Sequence, residues 1–114
     1  MLWVGYKLHL TETGEDDLPH LITHVATTTG PTADGAATPR IHAGLQAKGL
    51  LPATHIVDTG FLDATLLVES RTDYGVDRFG PTRPNIHGQA RAGAGFDAKP
   101  FTIDWERQQA TCPA

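Results

Sequence analysis

His55-Ile56-Val57-Asp58-Thr59-Gly60-Phe61 is the stretch around which the rest of the chain is read. A short apolar run ends in an acidic residue, and Thr59-Gly60 turns the chain before Asp63 offers a helix N-cap. Gly75 closes that helix where a left-handed residue belongs. The order is therefore strand, acidic turn, helix. Val76-Asp77-Arg78-Phe79-Gly80 predicts one more strand, stopped by Pro81 and Pro84 because proline cannot donate to a ladder.

Upstream, Trp3-Val4-Gly5-Tyr6-Lys7-Leu8-His9-Leu10 sets Val4, Tyr6, Leu8 and Leu10 on one side and Gly5, Lys7 and His9 on the other. That period of two predicts a half-buried strand. After a turn at Thr13-Gly14-Glu15-Asp16-Asp17, the β-branched stretch His20 to Thr28 predicts its antiparallel partner. Gly30 to Gly35 reads as a loop. Thr38-Pro39 then gives an N-cap followed by proline, and a helix is expected to run to Lys48, with Ile41 and Leu45 on one face and Gly49 as its C-terminal cap.

Downstream, Asn85 to Phe96 is rich in Gly and Ala without a period and reads as an irregular connection. Phe101, Ile103 and Trp105 alternate with Thr102, Asp104 and Glu106, predicting a strand that pairs with the stretch around Ala110-Thr111-Cys112. The expected organisation is a core over residues 1–84 and an irregular connection with a β segment over residues 85–114.

At 114 residues the chain is one domain at most, and its 39% hydrophobic and 19% charged residues describe a folded chain. A net charge of −4 argues against tight binding to nucleic acid phosphates. Arg71, Arg78, Arg83 and Arg91 are interrupted by Asp73 and Asp77 and read as a solvated face. Apolar runs such as Leu50-Leu51 and Leu66-Leu67-Val68 are far shorter than the roughly 20 residues of a membrane-spanning helix. With no secretory pattern at the N-terminus and Cys112 as the single cysteine, a cytoplasmic setting is expected.

Hairpin, helix, strand, helix, strand, with an acidic residue directly after a central strand, resembles the α/β core of ribonuclease H-like proteins, and the resemblance implies an incomplete form of that fold that lacks its first, central strand. The wording of the chain goes further. Trp3 through Thr13, Pro19-His20-Leu21-Ile22-Thr23-His24-Val25, the block ending Asp58-Thr59-Gly60-Phe61, Tyr74-Gly75-Val76-Asp77, Gly80-Pro81 and Phe101 through Cys112-Pro113 are similar, in order, to blocks of bacterial insertion-sequence transposases of the Asp-Asp-Glu class. The resemblance implies that Asp58 is the second catalytic carboxylate and a ligand of Mg²⁺ or Mn²⁺. It implies a complete enzyme that cleaves and joins DNA at transposon ends. It also puts the first Asp before the matched segment and the Glu beyond Cys112-Pro113. A two-metal clamp needs several carboxylates, so the chain is expected to be inactive alone, to hold no metal tightly and to bind DNA weakly or not at all. A non-enzymatic module that pairs with and inhibits the full-length transposase, self-association, and an unrelated small α/β binding domain are the other readings.

Other residues carry less. Glu15, Asp16 and Asp17 read as solvated turn acids, Asp63 as a helix cap, and Asp77 and Asp104 as outward-facing strand residues. His20 and His24, four apart on a strand, share a face but stand too far apart to chelate zinc, with or without His9. Pro39 and Arg78 depart from the family pattern, the first in a helix and the second at a strand position that is ordinarily apolar.

Overall fold

The computed structural model describes residues 4–94 and 97–113. Trp3 and Phe96, placed above in the first strand and at the end of the irregular connection, lie outside the described residues. The chain divides into two compact units, Met1–Thr82 and Arg83–Ala114.

The first unit opens with the expected hairpin. Strand β1 (Tyr6–Glu12) pairs antiparallel with β2 (Ile22–Thr29), Lys7 opposite Thr28 and Leu10 opposite Val25, with a register shift between Thr11 and Glu12. Thr13 ties the turn: its N–H donates to Leu21 O at 3.0 Å, and its hydroxyl accepts the Leu21 N–H at 2.9 Å. A 3₁₀ turn at Asp34–Ala37 leads into α1 (Thr38–Ala47). Strand β3 (Thr54–Ile56), a second 3₁₀ turn at Thr59–Phe61, α2 (Ala64–Tyr74) and β4 (Asp77–Phe79) follow, with β3 and β4 parallel and Ile56 opposite Phe79.

The caps follow from local chemistry. Asp63 Oδ1 accepts the Leu66 N–H at 2.7 Å, and Gly75 takes φ 68°, a conformation that carries no Cβ penalty in glycine. Gly49, also at φ 68°, ends α1 in the same way. At the start of α1 the expectation is corrected by one residue. Thr38 is the first helical residue and Ala37 the cap, so the Thr38 hydroxyl caps nothing and is buried without a partner. Pro39 sits in the first turn, where a missing N–H costs no helical bond, so it neither delays nor breaks the helix.

Ile41 and Leu45 are buried together with Ala26 and Ala37, and Leu51 packs against them. The strands, however, bury the face that is polar. In β1, His9 is 7% exposed, whereas Tyr6, Leu8 and Leu10 are 76%, 62% and 56% exposed. The inward polar groups are paired, which makes their burial tolerable: His9 Nε2 bonds Thr28 Oγ1 at 2.9 Å, and Lys7 donates to Thr32 O at 2.8 Å and Asp34 Oδ1 at 2.9 Å. The same inversion holds across β3 and β4, where Arg78 is buried and Ile56 and Phe79 are exposed. Arg78 is thus not part of a solvated basic face.

Helix α1 approaches β2 through Gly44, where an added Cβ would stand 2.2 Å from His24 Cε1. Gly44→Ala is expected to cost about 1 to 2 kcal/mol by driving the His24 ring from its place. Combining it with His24→Ala should recover most of that loss, and two independent, additive losses in urea denaturation would refute the contact.

In the second unit, α3 (Gly88–Ala92) breaks the stretch read as irregular; five residues are too few to show a helical period. Strand β5 (Thr102–Asp104) pairs antiparallel with β6 (Gln109–Thr111), Ile103 opposite Ala110, and Asp104 Oδ1 accepts the Arg107 N–H at 3.0 Å in the turn. Among the described residues no helix is long and apolar enough to cross a membrane.

Candidate functional site

Asp58 stands just past the end of β3, in extended conformation, and its side chain is the N-cap of the 3₁₀ turn, Oδ1 accepting the Gly60 N–H at 2.9 Å. Two bonds hold this turn against the end of β4. The Val57 N–H donates to Phe79 O at 2.9 Å, and the Thr59 hydroxyl donates to Pro81 O at 3.1 Å. The carboxylate is exposed on the rim of a cavity of about 240 Å³ that opens between β1 and β3 and has Thr38 and Ile41 on its lining.

A second carboxylate lies close by. A Cβ on Gly60 would stand 3.0 Å from Asp34 Oδ2 and 3.3 Å from Asp58 Oδ1, so Gly60 keeps open the space between two acids. Asp34 went unnoticed in the sequence because it falls inside a loop with no period. Its other oxygen is paired with Lys7 at 2.9 Å, which offsets the repulsion between the two carboxylates. Glu15, Asp16 and Asp17 are exposed in the turn between β1 and β2, and Asp77 and Asp104 are exposed on their strands.

Among the described residues no three His, Cys, Asp or Glu side chains come together as a metal site. Asp58 accepts the Gly60 N–H and Asp34 pairs with Lys7, each through one oxygen, and two carboxylates alone do not build a two-metal centre. The histidines considered for zinc go separate ways. His9 bonds Thr28 and meets the Phe61 ring edge-on at 5.5 Å, His20 lies 3.9 Å from Glu12, and His24 accepts from Lys48 at 3.1 Å. Partial burial, and then the Lys48 charge, lower the His24 pKa below the ordinary histidine value.

A polar cluster gathers the buried His42 and Arg78 with the half-buried His55 and Tyr74. His42 Nε2 and His55 Nδ1 are 3.0 Å apart, and the Tyr74 ring stands against His42 at 5.4 Å. Arg78 Nη2 donates to Phe61 O, while Arg78 Nε and Nη1 have no partner. Burial lowers the Arg78 pKa, and Asp63 opposes that shift. Burial, then His55 and Arg78, lower His42 to about 4, and burial and Arg78 lower His55. Sequence reasoning missed this cluster because its members come from α1, α2, β3 and β4.

No family model matches the chain, and neither a curated protein nor a solved structure matches it.

Proposed function

We propose that the chain is a piece of a DNA transposase catalytic domain of the Asp-Asp-Glu class, with Asp58 as one carboxylate of a metal site completed by residues outside it. The supporting observation is the position of Asp58: an exposed aspartate at the end of a strand in a parallel pair, on the rim of an open cleft, in a turn held by hydrogen bonds on both sides. A strand-end carboxylate over a cleft is where a metal-dependent phosphoryl-transfer enzyme places a ligand. The complete enzyme would bind transposon-end DNA and use Mg²⁺ or Mn²⁺; alone, this chain lacks the ligands to do so.

The coding DNA on either side decides the matter. It is expected to encode an aspartate-bearing strand upstream and a glutamate-bearing helix downstream, and the protein made from the joined frame should cleave element-end DNA in a metal-dependent way that Asp58→Asn abolishes. Flanks without either element overturn the proposal. The chain by itself is expected to show no cleavage with Mg²⁺ or Mn²⁺, with or without Asp58→Asn. Its affinity for duplex DNA should be weak and lost by physiological salt, as the net charge of −4 dictates. Binding that survives such salt would reveal a recognition surface that composition hides.

A further inference from the structure

Four buried side-chain atoms lack a hydrogen-bond partner among the described residues: Thr38 Oγ1, His42 Nδ1, and Arg78 Nε and Nη1. They belong to one place in the first unit. Thr38 and His42 stand one turn apart on the inward face of α1, and His42 meets His55 at 3.0 Å. Arg78 lies opposite His55 in the parallel pair, so the two side chains share a face of the sheet, and its Nη2 reaches the Phe61 carbonyl. Thr38, His55 and Phe61 in turn line the same cavity. The four atoms therefore face one region between α1 and the pair of β3 and β4.

Arg78 sets the chemistry of that region. A guanidinium keeps its proton, so its charge is buried intact at 5% exposure. Buried charges are paired because an isolated one is costly to take out of water. Among the described residues, however, no carboxylate forms an ion pair with Arg78. Asp63, whose charge acts on it, is engaged elsewhere: Oδ1 accepts the Leu66 N–H at 2.7 Å, and Oδ2 lies toward Gly35. Each unpartnered atom can also donate. Arg78 Nε and Nη1 are donors without any acceptor role, a threonine hydroxyl rotates to donate, and a neutral imidazole carries its proton on either nitrogen. Donors gathered around an unneutralised cation call for an acceptor with negative charge, and a water molecule supplies no such charge.

We propose that this region binds one small monovalent anion, of the size of chloride, held by Arg78 Nε and Nη1, the Thr38 hydroxyl and His42 Nδ1. Size follows from burial. Thr38 is 3% and His42 1% exposed, so a bulky oxyanion or an organic acid would have to part α1 from the strands. With the ion in place, His42 Nδ1 carries the ring proton and Nε2 accepts from His55 Nδ1–H, the reverse of the donation that leaves Nδ1 bare. The ion thus sets the tautomers of both rings and ties α1 to β4 through charge. The Asp58 carboxylate, exposed on the cavity rim, is screened by solvent and opposes the ion little. No carboxylate takes part in the site, which stands whether or not the chain derives from a transposase.

The test compares potassium chloride with potassium gluconate at equal ionic strength and neutral pH, following the chloride NMR line width, the urea midpoint and the ring nitrogen resonances of His42. Chloride is expected to show excess broadening that saturates as for a single site and to raise the urea midpoint above its value in gluconate. It should also move His42 Nδ1 from the bare to the protonated range of a neutral ring. Arg78→Met, which removes the cation, should lose all three responses. Thr38→Val keeps the shape of the side chain and removes one hydrogen bond to the ion, so it should weaken chloride binding about tenfold. Saturable broadening that persists unchanged in either variant would place chloride elsewhere and overturn the proposal. Equal urea midpoints of the wild type in the two salts, or a His42 Nδ1 that stays bare in saturating chloride, would overturn it as well.

Discussion

Gly80→Ala is expected to open the strand pair on which Asp58 stands. A Cβ at this position would lie 2.1 Å from Val57 O, 3.2 Å from Val57 C and 2.9 Å from Leu62 Cδ1. The first two contacts are backbone, and that backbone is pinned by the Val57 N–H bond to Phe79 O. No rotamer change relieves such a clash; β4 must draw away from β3. Overpacking against fixed backbone costs about 3 kcal/mol, which in a domain of this size corresponds to a fall in Tm of roughly 10 to 20 °C. Gly14→Ala is the control, because a Cβ there meets nothing within 4 Å, and its effect should stay within about 0.5 kcal/mol. Equal urea midpoints for the two variants would mean that Gly80 and Val57 are not in contact. Since Val57 carries Asp58, exchange cross-peaks of the Asp58 turn should also shift in Gly80→Ala and not in Gly14→Ala.

What could be read from the sequence was what local chemistry fixes. Asp63 and Gly75 bracket α2 because a carboxylate satisfies free N–H groups at one end and glycine adopts the left-handed turn at the other. Ile41 and Leu45 announced the buried face of α1, and the apolar run into Asp58 gave β3 and its turn. The alternation in β1 was equally clear, but a period of two only divides a strand into two faces. Which face meets the helices depends on partners distant in sequence: Thr28 for His9, Asp34 for Lys7. For the same reason Arg78 looked like a surface residue and is buried, and Asp34 was passed over although it lies across Gly60 from Asp58.

That buried cluster makes the fold acid-labile at a pH where most carboxylates are still charged. His42, 1% exposed, shares one proton with His55 across their 3.0 Å contact. Donation from His42 Nε2 to His55 Nδ1 leaves His42 Nδ1 as a bare acceptor, which costs less than a buried N–H without a partner. A second proton would put a cation beside Arg78, whose own guanidinium has two nitrogens unpartnered. The His42 pKa is accordingly lowered to about 4, by burial first and by His55 and Arg78 after it, and His55 moves in the same direction. In the unfolded chain histidine titrates near 6.5, so between these values the unfolded state binds more protons than the folded one. Stability from this source is complete above about pH 6.5 and is lost as pH falls toward 4. Urea midpoints measured across that interval should fall steeply in the wild type and much less in His42→Phe, which places an uncharged ring in the same space. Arg78→Met should flatten the profile less than His42→Phe does, because burial is the larger cause of the shift and the Arg78 charge a smaller one. Parallel slopes for wild type and His42→Phe would show that the imidazole pair is solvated and that α1 does not close over β3.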